Sequence, residues 1–239
     1  MRMISYVITI FNGPHKEYSE KCADRLFDSA VKHGLNDLIA FEPYKATTPA
    51  MLGPSDYDKW HYPDQGVTRK HESGMEFTGY NGKLETRIAC FKSHMHLWEK
   101  AVASNQPIMI LEHDAVFVRW MRPSAVLEQL EPGDVLMLND PRGATRRGNQ
   151  YHENIISHNF GIYPIDGVNT DDENCPDGLA GNSAYIITPA AAEKALRLVD
   201  QYGYMPNDAL LCKQWFGKNL KSIYPYVTRV EQTTSTTSG

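Results

Sequence analysis

Apolar residues along the chain alternate between short continuous runs and helical stripes. Residues 4–11 are rich in β-branched and aromatic side chains and end in a turn cluster, so they predict a buried first strand. Apolar positions then recur at helical spacing over residues 17–33, and residues 38–41 form a second short run. Strand, helix and strand in this order predict a parallel strand pair joined by a right-handed crossover.

The same alternation continues through most of the chain. Residues 84–103 carry one apolar helical stripe, and residues 107–111 form a continuous apolar strand. Further strands are predicted at 115–118, 134–138, 183–188 and 223–230, and further helices at 123–130, 189–200 and 209–216. Strands alternating with helices predict an α/β domain in which helices flank a mostly parallel central sheet. Its active face is expected at the carboxyl ends of the strands.

Two long stretches, residues 49–83 and 139–181, break this pattern. Both mix Gly, Pro and polar residues without a sustained period, and loops of this length usually carry function. The aromatic residues of the first stretch are expected to anchor the loop to the core. They are Tyr57, Trp60, His61 and Tyr62.

Composition limits the class of protein. The 239 residues are 41% hydrophobic and 22% charged, which suits one domain over residues 1–232 with a flexible tail at 233–239. The formal net charge of -5 leaves no global positive field for nucleic acid. No apolar run approaches the roughly 20 residues that cross a bilayer, and the apolar start lacks a signal cleavage site. We therefore expect a cytoplasmic protein without a transmembrane segment, at most peripheral to a membrane.

Two carboxylates follow the apolar strand at 107–111. Glu112 and Asp114 are two residues apart, so in an extended chain both side chains point to the same side. Two like charges at the edge of a core need a cation, and oxygen ligands suit Mg²⁺ or Mn²⁺, which also bridge a diphosphate. The alternative is a strand that ends in a solvated acidic turn.

Motifs for several other chemistries are missing from the sequence. There is no GxGxxG after the first strand, no GxxxxGK[ST] and no GxSxG. Ser93 and His94 are placed on a helix face directed at the acidic strand end, with a hydrogen-bonded structural histidine as the alternative. Cys90 is expected to be a small core residue rather than a nucleophile.

The segment at 87–115 resembles the signature block of glycosyltransferase family 25, which includes lipopolysaccharide and collagen hydroxylysine galactosyltransferases. The matching residues are Arg87-Ile88-Ala89-Cys90-Phe91-Lys92-Ser93-His94, Leu97-Trp98-Glu99-Lys100 and Glu112-His113-Asp114-Ala115. The first strand, the block at 181–189, Asn207-Asp208 and Ser235 also fit the family order. Two residues depart from the family pattern: Arg87 replaces an acidic residue, and His113 replaces the middle Asp of the acidic triplet.

The resemblance implies a GT-A-type, Rossmann-like fold and an inverting hexosyltransferase that needs Mn²⁺ or Mg²⁺. The expected donor is a UDP-hexose, UDP-galactose in the first instance, and the acceptor is a glycan or another hydroxyl compound. For such substrates the alternative role of the aromatic residues at 57–62 is to stack on sugar faces. Asp114 is implied as a metal ligand, and Glu112 as a second ligand or a donor contact. Asp208 is implied as the general base, with a helix N-cap as the alternative.

Arg87, Ser93 and His94 are implied as residues of the donor site. For Arg87 the implied role is a diphosphate contact, and a plain surface role is the alternative. The replacements at Arg87 and His113 also favour an alternative function, a nucleotide-sugar or carbohydrate-binding protein without turnover. A third hypothesis is a metal hydrolase whose metal ligands are Glu112 and Asp114.

Overall fold

A computed structural model describes residues 2–142, 146–166, 175–179 and 182–231. The strands are β1 (Met3–Thr9), β2 (Ile39–Lys45), β3 (Thr68–Lys70), β4 (Glu76–Thr78), β5 (Ile108–Glu112), β6 (Ala115–Phe117), β7 (Val135–Met137), β8 (Gly161–Pro164), β9 (Ala184–Ile187), β10 (Leu220–Tyr224) and β11 (Thr228–Val230). The α-helices are α1 (Lys16–Lys32), α2 (Pro54–Asp58), α3 (Leu84–Ser104), α4 (Pro123–Leu127), α5 (Arg146–Ile155), α6 (Pro189–Tyr202), α7 (Asn207–Leu210) and α8 (Lys213–Phe216). The predicted tail at 233–239, Ser235 and Gly181 lie outside the described residues.

A seven-stranded sheet forms the centre of the molecule, in the order β2-β1-β5-β9-β7-β10-β8. β1 is parallel to β2 and β5, and β7 is parallel to β10. β9 is antiparallel to β5 and β7, and β8 is antiparallel to β10. Five strands therefore run in one direction and β8 and β9 in the other, which confirms the predicted α/β class with a mostly parallel sheet. The predicted parallel pairing of the first two strands is also confirmed.

Both faces of this sheet are buried because its strands carry apolar side chains at consecutive positions. In β5, Ile108 and Ile110 belong to one core together with Trp98 of α3. Met109 and Leu111, on the opposite face, belong to a second core with residues of α1. Each large side chain buried in this way contributes about 1.5–3 kcal/mol, so α3 and α1 are fixed on opposite faces of β5. None of the described helices combines the length and apolarity that a membrane span requires.

The end of the chain differs from its prediction. The single strand predicted at 223–230 is divided at Pro225, which cannot donate a backbone hydrogen bond. β10 belongs to the central sheet, whereas β11 pairs with β6 in a separate two-stranded sheet. The helix predicted at 209–216 is likewise divided into α7 and α8, because Cys212 between them has extended backbone dihedrals.

The two stretches predicted as irregular contain regular elements. Residues 49–83 hold α2 and the hairpin of β3 and β4, and residues 139–181 hold α5 and β8. The first stretch is tied to the body of the domain, since the His61 backbone N–H donates to the Tyr204 carbonyl at 2.9 Å. Gly79 allows the close return of this loop, because a Cβ there would lie 1.9 Å from the Asp64 carbonyl oxygen.

Candidate active site

A cavity of about 420 Å³ opens at the carboxyl ends of β1, β2 and β5. Its walls are residues 12–15 after β1, residues 46–50 after β2 and the first half of α3, and Glu112 and His113 lie where β5 ends. Open α/β sheets bind ligands at this edge, and the volume lies in the range of small-molecule sites. We call it the first cavity.

The first cavity offers favourable surroundings for an anion. The N-terminal end of α1 borders it through Gly13 and His15, and the N-terminal end of α3 borders it through Lys83 and Thr86. The first N–H groups of a helix lack intrahelical acceptors, and the helix dipole adds positive charge at that end. Two such ends and the Lys83 ammonium group suit a phosphate or diphosphate, and they act against the carboxylates of Glu85 and Glu112 in the same lining.

Glu112 is held in the first cavity by three side chains. His94 Nε2 lies 3.1 Å from Glu112 Oε1, Ser183 Oγ donates to Oε2 at 3.2 Å, and the Cys90 thiol lies 3.9 Å from Oε1. Burial alone would raise the pKa of Glu112, but the hydrogen bonds from His94 and Ser183 and the electrostatic effect of the His94 and His113 imidazoles outweigh it. The net pKa is lowered, so Glu112 is a carboxylate.

A buried chain of hydrogen bonds fixes His94 and, through it, Glu112. Trp98 Nε1 donates to the Tyr185 hydroxyl at 2.9 Å, and that hydroxyl lies 2.9 Å from His94 Nδ1. Because the indole N–H can only donate, the hydroxyl accepts from Trp98 and has its own proton for His94 Nδ1. In this arrangement the imidazole carries its proton on Nε2, and the Nε2–H group donates a hydrogen bond to Glu112 Oε1. The predicted orientation of His94 toward the acidic strand end is confirmed.

Asp114 does not join Glu112 in the first cavity. The chain turns at His113-Asp114 before β6 begins, so the two-residue alternation of an extended strand ends at Glu112. His113 is part of the described lining of the cavity, whereas Asp114 is not. Asp114 is buried, and its charge adds to the rise that burial causes in the pKa of Cys22 and Cys90. The extended chain that the same-side expectation assumed therefore ends at Glu112, and Glu112 is the carboxylate of the two that lines the first cavity.

Three donors that are able to hold a metal ion do meet, but they are Cys90, His94 and Glu112, whose ligand atoms lie within 4.8 Å of one another. Burial and the charges of Glu112 and Asp208 raise the Cys90 pKa well above its usual value, so Cys90 is a neutral thiol. A thiol, an imidazole and one carboxylate do not match the oxygen set that Mn²⁺ or Mg²⁺ prefers.

Asp208 lies in the first turn of α7 and lines a second cavity of about 350 Å³. Tyr62, Phe77 and Tyr80 line the same cavity, which we call the second cavity. Burial raises the pKa of Asp208, two backbone N–H groups partly offset this, and the charge of Glu112 adds to the rise. Pro206 occupies the N-cap position of α7, so the alternative N-cap role of Asp208 is wrong.

Comparison with protein families decides the identity. The model for glycosyltransferase family 25, described as an LPS biosynthesis protein, matches residues 69–211, which is more than half of the chain. The chain belongs to glycosyltransferase family 25. It is therefore an enzyme of the glycosyltransferase class, and the predicted resemblance and the mostly parallel α/β fold are confirmed.

Solved structures similar to this family 25 enzyme have low sequence identity to it. The galactosyltransferase LgtC in complex with donor and acceptor sugar analogs is 13% identical, with 92% of this chain and 72% of that chain covered and a TM-score of 0.43. Mouse xyloside xylosyltransferase 1 in its apo form is 12% identical, with 92% and 83% covered and a TM-score of 0.43. No curated protein matches the sequence.

Arg87, at the start of the matched signature block, is a buried residue of the family 25 enzyme rather than a surface one. Its guanidinium carbon lies 5.6 Å from the Trp60 ring centroid and 5.5 Å from that of Tyr80. Its Nη1 donates to the Pro63 carbonyl at 3.4 Å, and its Nη2 lies 4.0 Å from Asp64 Oδ1. Arg87 is absent from the described lining of both cavities. The surface alternative is wrong because the loop at 60–64 covers the side chain.

Ser93 lines the first cavity and connects two of its walls. Its hydroxyl accepts from the Thr47 backbone N–H at 2.9 Å and donates to the Ala89 carbonyl at 3.0 Å. Cys90 lines the same cavity, against the expectation of a core residue, because this face of α3 borders the opening.

Sequence reasoning missed Ser183 and Tyr185 as members of the Glu112 network. The available signal was a tyrosine inside an apolar strand and a serine immediately before that strand, because a buried hydroxyl needs a partner.

Proposed function

We propose that this family 25 enzyme transfers a hexose from a UDP-sugar, UDP-galactose as the resemblance implies, to a hydroxyl of a glycan acceptor with inversion. The observation that carries the proposal is the adjacency of the two cavities. Thr86 of α3 lines the first cavity, and the guanidinium carbon of the next residue, Arg87, lies 5.5 Å from the ring centroid of Tyr80, which lines the second. The charges of Glu112 and Asp208 also both raise the pKa of Cys90. A donor and an acceptor bound in these cavities would meet between the two carboxylates.

The first cavity is assigned to the nucleotide donor. The N-terminal ends of α1 and α3 and the Lys83 ammonium group favour the diphosphate and stabilise the charge that develops on it as it leaves. Glu112, oriented by His94, accepts hydrogen bonds from hydroxyls of the ribose or the sugar. Ser93 holds the loop after β2 against α3 through its hydrogen bond to Thr47. Arg87 contacts the loop at 60–64 through the Trp60 ring and the Pro63 carbonyl.

Asp208 is assigned the role of general base. Burial raises its pKa, which makes its carboxylate a stronger base than an exposed one near neutral pH. The aromatic rings of Tyr62, Phe77 and Tyr80 offer apolar faces for an acceptor sugar. In one displacement the acceptor oxygen bonds to the anomeric carbon while the bond to the diphosphate breaks. The hydroxyl proton passes to Asp208, and UDP leaves.

The Mn²⁺ or Mg²⁺ requirement and the Asp114 ligand role come from the resemblance. We assign no step to a metal ion, because the donors described around Glu112 do not suit a hard cation. A metal-dependent enzyme would lose turnover in excess EDTA and regain it with Mn²⁺, and Asp114→Asn would abolish both the turnover and the response to Mn²⁺. A metal-independent enzyme would keep its rate in EDTA.

The proposed function is tested by UDP release with a panel of UDP-sugars and glycan acceptors. We expect release that depends on both substrates, and a loss of about 100-fold or more in Asp208→Asn with donor binding retained. Asp200→Asn, an exposed carboxylate on α6, is the matched control and should keep the wild-type rate.

Two outcomes would contradict the proposal. A melting temperature that rises with UDP-sugar, without UDP release for any acceptor, would indicate a binding protein without turnover. UDP release that is independent of acceptor and yields free sugar would indicate a hydrolase.

A further inference from the structure

A third cavity, of about 260 Å³, lies between the loop after α2 and the hairpin of β3 and β4. Neither the donor nor the base assigned above uses it. Its lining includes Trp60, His61, Arg69, Lys70, Glu72 and Phe77. We call it the hairpin groove.

The charge of the hairpin groove is positive. Arg69 and Lys70 are consecutive exposed residues of β3, and neither forms an ion pair with any residue in the described part of the chain. Glu72 is the single carboxylate in the described lining, and His61 and His71 add imidazoles. Two unpaired cations against one carboxylate favour a ligand with a negative group, although the chain as a whole has a net charge of -5.

The remaining walls of the hairpin groove are aromatic. Trp60 and Phe77 line it. Aromatic faces together with cations suit a sugar with an acidic substituent.

One layer of aromatic rings separates the hairpin groove from the cavity of Asp208. Phe77 lines both cavities. Tyr62, which lines the second cavity, has its ring centroid 5.3 Å from that of Phe77 and 6.2 Å from that of Trp60. An oligosaccharide with its reacting hydroxyl at Asp208 would therefore reach the groove with a neighbouring unit.

The groove is built before any ligand binds. Its loop is fixed to the body of the domain by the hydrogen bond from the His61 backbone N–H to Tyr204 and by the close approach of Gly203, where a Cβ would lie 2.6 Å from the Lys59 carbonyl oxygen. Arg87 packs on the Trp60 ring. A preformed site loses little conformational entropy on binding.

We propose that the hairpin groove binds a negatively charged unit of the acceptor, a sugar that carries a phosphate or a carboxylate. This inference rests on the proposed function, because it gives the acceptor of that reaction its chemical class. The reacting hydroxyl lies at Asp208, and the acidic unit is held by Arg69 and Lys70.

The test measures quenching of tryptophan fluorescence by glucose 6-phosphate, glucuronic acid and glucose at constant ionic strength. At least one charged probe should bind about tenfold or more tightly than glucose, and which one it is distinguishes phosphate from carboxylate. Arg69→Gln/Lys70→Gln should remove this preference, and Glu72→Gln should strengthen it. The matched control, Arg119→Gln/Arg122→Gln, removes two exposed charges elsewhere and should behave as wild type.

Three results would overturn the inference: no measurable binding of either charged probe, equal binding of charged and neutral probes, or a preference that survives in Arg69→Gln/Lys70→Gln. UDP binding and UDP release are measured on the same proteins. Turnover without binding of the charged probes refutes the acidic acceptor alone. Binding of the probes without turnover refutes the proposed function and leaves the hairpin groove as a binding site.

Discussion

The hydrogen-bond chain behind Glu112 gives a quantitative prediction for Tyr185→Phe. The substitution removes one hydroxyl and keeps the ring, which is fully buried between α3 and the central sheet. Trp98 Nε1 then loses its acceptor, and His94 Nδ1 loses its donor. Both side chains are inaccessible to solvent, so water cannot replace the lost partner.

The expected loss of stability follows from these two groups. A buried polar group left unpaired costs about 1–3 kcal/mol, so two of them cost about 2–6 kcal/mol. For a domain of this size, 1 kcal/mol corresponds to a shift in melting temperature of about 2–4 °C. We expect Tyr185→Phe to melt at least about 4 °C below wild type. Turnover should fall as well, since the tautomer that donates to Glu112 is no longer fixed.

The assay combines thermal unfolding with UDP release. Tyr226→Phe is the matched control, because Tyr226 is also buried and its hydroxyl lies 3.3 Å from a histidine nitrogen, that of His152, outside both cavities. It should lose less stability and keep its turnover. The double variant Trp98→Phe/Tyr185→Phe has no indole N–H that could be left unpaired. Its loss of stability should therefore be smaller than the sum of the losses in Trp98→Phe and Tyr185→Phe. Losses that add within about 0.3–0.5 kcal/mol would refute the coupled chain.

Three further predictions concern other residues of the site. Asp208→Asn should raise the melting temperature at pH 7, because burial raises the folded-state pKa of this carboxyl and its negative charge therefore opposes folding. The gain in melting temperature should vanish below the ordinary pKa of 3.8, where the carboxyl is protonated in both states. A gain that does not depend on pH would contradict this prediction. Arg87→Gln should lower the melting temperature by several degrees, as two cation–π contacts of about 0.5–2 kcal/mol each are lost, whereas the exposed Arg197→Gln should change little. Glu112→Gln should weaken binding of UDP-sugar by about tenfold or more in calorimetry and leave the fold intact; unchanged affinity would remove Glu112 from the donor site.

The parts of the fold that the sequence predicted are those determined by local pattern. Continuous apolar runs predicted β1 and β5, and a helical stripe predicted α3. Strand direction and sheet membership depend on distant contacts instead. Neither the antiparallel insertion of β9 nor the transfer of β11 to a second sheet has a local signal.

The candidate site shows the same division. The position of His94 beside Glu112 followed from helix and strand geometry, because both residues lie in regular elements. The position of Asp114 did not, since it lies in a turn, where side-chain alternation fails. Tyr185 is 91 residues from its partner His94, and only the folded sheet brings them together.

The position of His113, which lines the first cavity, depends on β11, the last described strand, through its pairing with β6. Glu231 donates its backbone N–H to the carbonyl of Asp114 at 2.9 Å, in the turn that positions His113. While Thr228–Val230 and Glu231 are still inside the ribosome, the growing chain therefore lacks the hydrogen bond that holds this turn. Catalytic competence should appear only after these residues have left the ribosome. A nonsense mutation just before Thr228 should abolish activity although every residue assigned to chemistry has been translated.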